Sequence, residues 1–253
     1  MTNTQLTHIQ IDNYGPWTVT PEPRREVDLQ TLQSRLYADL SQLFGNRDGY
    51  VFFTRFDNMV AISNGVDMDA HRLIQESVSN RYPVTASLSV ATGTTPVSAL
   101  GTATEQLQEE GSAQDKHRRE ILKGRTIDEQ FQTDEDVQIA HFDVADATGK
   151  YTDQLNEYDT FIRIEHGYAE LMRYMREEYG SLSFFVGGDN IIVVCPDLDA
   201  EEYHDAVTHV DEAVDVELRV GVGRGRTASD AGMDAKHALE HCRETDSEVH
   251  LDF

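Results

Sequence analysis

Lysine is scarce in this sequence. Of 21 basic residues only four are lysines, at positions 116, 123, 150 and 236, whereas 46 residues are acidic and the net charge is −25. A protein that binds nucleic acid needs a basic surface to displace counterions, so the composition excludes a nucleic-acid partner. It also disfavours binding to anionic membranes. An acidic, lysine-poor composition is typical of proteins from salt-loving organisms, because concentrated salt screens the repulsion between carboxylates.

Long apolar runs are absent as well. The most apolar stretch, residues 184–195, is interrupted by Gly187-Gly188-Asp189-Asn190, and nothing approaches the roughly 20 apolar residues of a membrane-spanning helix. The first ten residues lack the basic and apolar segments of a signal peptide. The sequence therefore predicts a cytoplasmic protein without a membrane partner. Because 39% of its residues are apolar, it has enough material for a folded core.

Cysteine is equally rare. Cys195 and Cys242 are the only two, and they form no CxxC pair. A zinc site built on thiolates is therefore not expected, and both side chains are predicted to be buried, reduced thiols.

An internal repeat organises the chain. The first copy of a hairpin pattern reads FFTRFDNMVAI at residues 52–62, and the second reads FFVGGDNIIVV at residues 184–194. Their aspartates, Asp57 and Asp189, are 132 positions apart (189 − 57). Two further pairs of strand-like segments flank the hairpins at offsets of 131 and 130: residues 9–12 with 140–143, and residues 88–93 with 218–223. A period of this size predicts a tandem duplication of a whole domain.

Helical periodicity fills the gaps between these strands. Each copy then reads strand, helix, hairpin, helix, strand, helix, which is the order of a ferredoxin-like, palm-type α+β domain with an antiparallel sheet. We expect a first domain over residues 1–115, a linker over 116–136 and a second domain over 137–253. The predicted helices cover Asp28–Leu43, His71–Asn80, Pro96–Glu110, Asp159–Tyr179, Glu201–Ala213 and Ala228–Arg243.

Aspartates follow the first strand and occupy the hairpin turn in both copies. We expect Asp12 to meet Asp57, and Asp143 to meet Asp189, because the first strand and the hairpin lie side by side in such a sheet. Two neighbouring carboxylates repel each other unless a cation neutralises them, and oxygen ligands of this kind suit Mg²⁺. The alternative is that Asp and Asn occupy these turns only for their turn propensity. Because the pairing of aspartates occurs in both copies, we favour a metal site over turn propensity alone.

The stretch after Asp12 has an unusual composition. Asn13-Tyr14-Gly15-Pro16-Trp17-Thr18 contains the only tryptophan, and Pro21, Pro23, Arg24 and Arg25 follow closely. A proline-rich loop with an aromatic ring and two arginines is suited to a purine base and its phosphates. A packed surface loop is the alternative. The second copy has a plainer loop at residues 144–149, so we assign the metal chemistry to the first copy.

Several of these segments resemble a known family. Hairpins of the Gly-Gly-Asp type beside an Asp-bearing strand are similar to those of nucleotide and diguanylate cyclases and polymerases. Residues 10–18, 52–58 and 184–190 together resemble archaeal GTP cyclohydrolase III, and the resemblance covers nearly the whole chain.

The resemblance implies an activity. Members of this family hydrolyse GTP with Mg²⁺, opening the imidazole ring and releasing phosphate. The product, 2-amino-5-formylamino-6-(5-phosphoribosylamino)pyrimidin-4-one, feeds riboflavin and deazaflavin synthesis. The resemblance further implies two Mg²⁺ ions, activation by K⁺ or another monovalent cation, no zinc, and a homo-oligomer, either a dimer or a tetramer. A nucleotidyl cyclase and a non-catalytic GTP-sensing module are the alternatives.

The resemblance also implies roles for single residues. Asp12 and Asp57 would hold the two ions, with Asp143 and Asp189 as the matching pair of the second copy. Arg24 or Arg25 would neutralise phosphoryl charge. The full set of expected substrate-binding residues is Asn13, Tyr14, Trp17, Arg24, Arg25, Asn58, Gly187, Gly188 and Asn190.

Overall fold

In a computed structural model of the chain, residues 3–127 and 137–253 are described. They form two compact units. Residues 4–94 and 98–127 make up the first unit, and residues 137–253 make up the second together with residues 3 and 95–97. Within the described residues, no helix has both the length and the apolar character needed to cross a bilayer.

The first unit has the strand order of a ferredoxin-like sheet, β2-β3-β1-β4, extended by a fifth strand, β5. β1 lies between two antiparallel neighbours, and its alternate side chains enter the core. Its elements are β1 (Thr4–Ile11), α1 (Tyr14–Val19), α2 (Glu26–Gly45), β2 (Tyr50–Phe53), β3 (Asn58–Ile62), α3 (Met68–Arg81), β4 (Ala86–Gly93), α4 (Pro96–Glu109) and β5 (Leu122–Gly124).

The core of this unit lies between the sheet and helices α2 and α3. Leu36, Leu40 and Phe44 are fully buried because they recur on one face of α2 at helical spacing. Ile9 and Met59 meet them from the sheet.

The second unit repeats this architecture with the order β10-β9-β6-β8-β7. Its core joins Phe142 of β6 to Leu171 of α5 and Tyr203 of α6. The elements are β6 (Val137–Val144), a π-helical turn (Thr148–Thr152), α5 (Glu157–Tyr179), β7 (Leu182–Gly187), β8 (Asn190–Cys195), α6 (Ala200–Val214), β9 (Leu218–Gly225), α7 (Ala228–Thr245) and β10 (Val249–Asp252).

Helix α7 packs against β9 at very short range. A Cβ atom added to Gly221 would lie 2.0 Å from the backbone N of Leu239, and one on Gly223 would lie 2.3 Å from the backbone N of Ala235. Glycine on the strand and alanine on the helix therefore allow the backbones to approach, and α7 is fixed on the sheet face opposite α5 and α6.

The predicted helices and hairpins are confirmed, with ends shifted by a few residues. The predicted antiparallel sheet is confirmed for four strands of each unit. A fifth strand extends each sheet in parallel, with β5 beside β4 and β10 beside β9. These edge strands have three and four residues, too few to show a pattern in the sequence. β5 also lies inside the predicted linker, residues 116–136, of which 128–136 lie outside the described residues.

Sheet register corrects the alignment of the two copies. Ile9 pairs with Leu88 and with Met59, and Phe142 pairs with Val220 and with Ile191. The first strands are therefore offset by 133 residues (142 − 9) rather than 131. A slip of two residues keeps every side chain on its own face of the sheet, so alternation of apolar residues does not reveal it.

Candidate functional site

The end of β1 and the first hairpin turn meet as predicted at the backbone. The amide N–H of Ile11 donates to the carbonyl oxygen of Asp57 over 2.9 Å. The Asp57 side chain is 27% exposed and lies 4.0 Å from the largely exposed Arg55. None of the described contacts of Asp12 involves the Asp57 carboxylate, so the structure brings the two chain segments together without joining their acidic groups.

Asp12 is buried and already well satisfied. Its carboxylate accepts hydrogen bonds from the Ser87 hydroxyl at 2.6 Å, the Thr85 hydroxyl at 2.8 Å and the Glu120 backbone N–H at 2.8 Å. Arg118 Nη1 lies 3.9 Å from it, and the Asp12 side chain is only 2% exposed. This carboxylate ties β4 and the segment before β5 to the end of β1, and little of it is free for a metal ion.

Arg118 was not singled out by the sequence, yet its side chain is only 3% exposed. Nη1 donates to Gln10 Oε1 over 2.8 Å. Gln10 in turn donates to Asn58 Oδ1, which also accepts from His8 Nε2 at 2.9 Å. Burial lowers the pKa of His8. A basic residue in the charged run at residues 116–119 gives no periodic signal, so only the fold reveals this network.

The predicted purine-binding stretch is a short helix and a loop. Asn13 has the left-handed φ of 52°, and α1 starts directly after it. Tyr14 and Trp17 stack with ring centroids 6.0 Å apart, and the Arg24 guanidinium lies 3.9 Å from the Trp17 ring centroid. Arg25 instead forms a two-pronged, exposed ion pair with Asp28. Arg24 and the two rings thus form one stacked group, and Arg25 is separate from it.

In the second unit the pairing of Phe142 with Ile191 places the two predicted aspartates side by side. Burial, followed by the neighbouring Asp143 carboxyl group, raises the pKa of Asp189 to about 6. Arg243 Nε and Nη2 donate to Asp143 Oδ2 over 3.0 and 2.6 Å. The buried Oδ1 of Asp143 has no N–H or hydroxyl donor among the described residues. Two carboxyl groups held together in this way are poised to accept a cation.

In the corrected register, Asp12 and Asp143 do not occupy equivalent positions in the two units. At an offset of 133, Asp143 corresponds to Gln10 and Asp12 corresponds to Ala145. The duplicated Asp pairing was therefore a wrong prediction for the first strands, although Asp57 and Asp189 do correspond. The first unit has a neutral Gln10 where the second has a carboxylate.

The turn residues of the second hairpin lie at the same end of β6 as Asp143. Gly187 and Gly188 have φ of 109° and 64°, and a Cβ on Gly188 would meet only Asn190 Nδ2 at 3.6 Å. Asn190 Oδ1 accepts from His141 Nε2 over 2.9 Å, repeating the contact between Asn58 and His8. Phe56 has a φ of 60° where the second hairpin has Gly188.

The two predicted pairs of aspartates can be compared for their fit to a metal ion. Among residues 3–127 and 137–253, no group of three or more His, Cys, Asp or Glu side chains is close enough to hold an ion. Of the two predicted pairs, Asp143 and Asp189 fit a hard divalent cation, because they lie side by side and Oδ1 of Asp143 lacks a donor. Asp12 fits poorly, since its oxygens are engaged.

Comparison with known proteins decides the family. The family model for GTP cyclohydrolase III matches residues 6–251. The chain belongs to the GTP cyclohydrolase III family. A GTP cyclohydrolase III from Natronomonas pharaonis is 74% identical over 249 residues, with 98% of each chain covered. A relative from Halobacterium salinarum, GTP cyclohydrolase III 1, is 66% identical with the same coverage.

More distant relatives carry the same family name. GTP cyclohydrolase III from Methanocaldococcus jannaschii is 48% identical and covers 94% of this chain and 88% of its own. Among solved structures, the GGDEF domain of DgcB from Caulobacter crescentus aligns to 46% of this chain and 78% of its own, with 12% identity and a TM-score of 0.40. The family resemblance inferred from the sequence is confirmed by the family model and by the GTP cyclohydrolase III relatives.

Proposed function

We propose that this chain hydrolyses GTP in a Mg²⁺-dependent reaction, opening the imidazole ring and releasing phosphate. One water adds at C8 of the purine, the bond from C8 to N9 breaks while N9 takes a proton, and C8 stays on N7 as a formyl group. Further water cleaves the phosphoanhydride bonds, so that the terminal phosphates leave and a monophosphate remains. The product is 2-amino-5-formylamino-6-(5-phosphoribosylamino)pyrimidin-4-one, a precursor for riboflavin and deazaflavin synthesis. The observation that supports the proposal is family membership over residues 6–251.

Asp143 and Asp189 are the residues that we propose to hold Mg²⁺. The partial burial of Asp189 and the Asp143 carboxyl group beside it raise the pKa of Asp189, and a divalent cation would neutralise this repulsion between the two acids. The ion, when bound, supplies Lewis-acid chemistry toward phosphate oxygens and water. Arg243 holds Asp143 through one oxygen and leaves the other available. K⁺ as an activator and a homo-oligomeric assembly are part of the same proposal.

In the first unit we propose that Asp12 positions other groups, whereas the half-buried Asp57 is the acid that remains accessible. Asp12 fixes the Glu120 backbone and lies beside Arg118, so its loss would displace the segment that follows α4. The rings of Tyr14 and Trp17 and the planar Arg24 guanidinium offer the surface that a purine base prefers.

The test is incubation with GTP and Mg²⁺ in KCl, following loss of guanine absorbance and release of phosphate. Asp143→Asn and Asp189→Asn should each reduce kcat at least 100-fold, on the order of the effect of losing a charged group at a catalytic centre. Asp69→Asn, an exposed acid on α3, is the matched control and should keep normal turnover. An unchanged GTP pool with the wild-type chain would exclude the activity.

If Asp57→Asn abolishes turnover while both second-unit variants remain active, the metal assignment moves to the first unit. Formation of a cyclic nucleotide and pyrophosphate with the purine intact would identify a nucleotidyl cyclase instead. Saturable GTP binding without any product would identify a sensing module.

A further inference from the structure

Arg118 is a buried cation with unused hydrogen-bond donors. Nε and Nη2 are both shielded from solvent and find no acceptor within the described parts of the chain. Nη1 is occupied by Gln10 Oε1. A buried guanidinium whose donors lack acceptors is unfavourable, so such a group needs a ligand or another role to account for its position.

Its nearest acid does not satisfy it. Asp12 Oδ1 is 3.9 Å from Arg118 Nη1, which is beyond hydrogen-bond length. The Asp12 oxygens instead accept from Thr85, Ser87 and Glu120. Asp12 therefore offsets part of the charge of Arg118 but does not occupy its free donors.

The second unit provides an internal comparison. Arg243 contacts the residue that corresponds to Gln10, namely Asp143, through Nε and Nη2, and its Nη1 donates to Glu240. All three nitrogens of Arg243 thus have carboxylate partners. At this position of the first strand, the second unit has a carboxylate that accepts from an arginine. The first unit has the neutral amide of Gln10 there, and Nε and Nη2 of Arg118 have no acceptor among the described residues.

A pocket of about 310 Å³ adjoins this arrangement on the first unit. Gln10, which holds Arg118, lines it, and further donors on its wall come from Thr104, Gln108 and Ser112. Ala113 also lines it, and its carbonyl oxygen accepts from the backbone N–H of Asn13 over 2.7 Å. The pocket therefore lies beside the start of the predicted purine-binding stretch.

We propose that Arg118 is a phosphate-binding residue of the first unit, with the polyphosphate of a nucleotide as its ligand. The inference rests on the proposed function for the choice of nucleotide. A guanidinium with free Nε and Nη2 presents the two-pronged donor edge that phosphate oxygens prefer. Because both atoms are shielded, the side chains around Gln10 must part for the ligand to reach them. Arg24 and Arg25, the arginines expected from the sequence, are engaged with Trp17 and Asp28.

The experiment measures binding of inorganic tripolyphosphate by calorimetry, at constant KCl and with EDTA present so that no divalent ion takes part. Arg118→Gln should weaken binding at least tenfold. Arg118→Lys, which keeps the charge but loses the two-pronged edge, should have an intermediate affinity. Arg81→Gln removes the same charge from an exposed ion pair with Asp39 and should bind like the wild type. Guanosine binding should be the same in all four proteins.

Wild-type affinity in Arg118→Gln, or no tripolyphosphate binding by the wild-type chain, would overturn the proposal. Loss of cooperative unfolding in both Arg118 variants would also overturn it, since Arg118 would then be a structural residue. Because binding is measured separately from turnover, the role of Arg118 and the proposed hydrolysis of GTP can be disproved independently. A chain that binds tripolyphosphate through Arg118 but leaves GTP intact contradicts only the proposed hydrolysis.

Discussion

Asp143, at the end of the central strand β6, lies beside Asp189 of the second hairpin turn, and Arg243 donates to one of its carboxylate oxygens over 2.6 Å. In the first unit, Asp57 has the place of Asp189, but Gln10 has the place of Asp143. The two copies have therefore diverged at their most acidic position. One retains a pair of carboxyl groups suited to a cation, and the other has an amide beside a buried guanidinium.

Mg²⁺ should stabilise the fold through the second-unit pair. A ligand that binds only the native state at 100 times its Kd adds about 2.7 kcal/mol to the free energy of unfolding. Thermal unfolding of the wild-type chain should shift upward with Mg²⁺ at constant KCl. In Asp189→Asn the shift should be largely lost, whereas Asp69→Asn should keep it. Equal shifts in all three proteins would argue against an ion at Asp143 and Asp189.

His71 should make the stability of the chain fall in mild acid. It is fully buried in the first unit, with Nδ1–H donating to the Asp67 carbonyl oxygen over 2.6 Å and Nε2 accepting from Thr7 Oγ1 over 2.7 Å. Both contacts suit a neutral ring, and burial lowers its pKa below 6.5.

The direction of this pH dependence follows from the number of protons that His71 binds in the native and unfolded states. Below the unfolded pKa of 6.5 the unfolded chain binds a proton that native His71 does not, so stability declines as the pH falls from 6.5 toward the lower native pKa. Urea unfolding between pH 7.5 and 5.5 measures this slope. His71→Gln should reduce the slope, and an identical slope would show that His71 carries none of it. His204, exposed on α6, is the matched site, and His204→Gln controls for replacing a histidine at the surface.

The contact between α7 and β9 should not tolerate a side chain on Gly221. An added Cβ would lie 2.0 Å from the Leu239 backbone N and 2.3 Å from the Ala235 carbonyl oxygen, and backbone atoms cannot move aside as a side-chain tip can. Gly221→Ala should lower the free energy of unfolding by about 3 kcal/mol.

Gly101 provides the control for this substitution. It lies in α4 with no atom within 4 Å of an added Cβ. Gly101→Ala should be neutral or stabilise the chain by about 0.5–1 kcal/mol, because alanine is the better helix former. Chemical unfolding curves give the free energy of unfolding of both variants. Similar values for the two would contradict the close approach of α7 to β9 at Gly221.

Much of the fold was predictable because its signals are local. Leucines at helical spacing identified α2, and the two Asp-Asn turns identified both hairpins. The short parallel strands β5 and β10 were missed because three or four residues give no period, and their partners are set by tertiary packing.

The candidate site was predicted less completely than the fold. The prediction that β6 lies beside the second hairpin is confirmed by the pairing of Phe142 with Ile191, whereas the role of Asp143 and Asp189 stays a prediction. Asp12 was aligned with the wrong residue because a slip of two preserves the alternation of a strand. Arg118 is far from β1 in sequence and lies in a run with several charges, so only the folded chain shows that it is buried beside Gln10.

The central claim is that the chain opens the imidazole ring of GTP, and mass spectrometry of the product in ¹⁸O-labelled water tests it most directly. With Mg²⁺ and KCl, the account predicts a nucleoside monophosphate heavier than GMP by one water, with labelled oxygen in the formyl group retained on N7. Recovery of GTP, GMP or a cyclic nucleotide with an intact purine ring would contradict it.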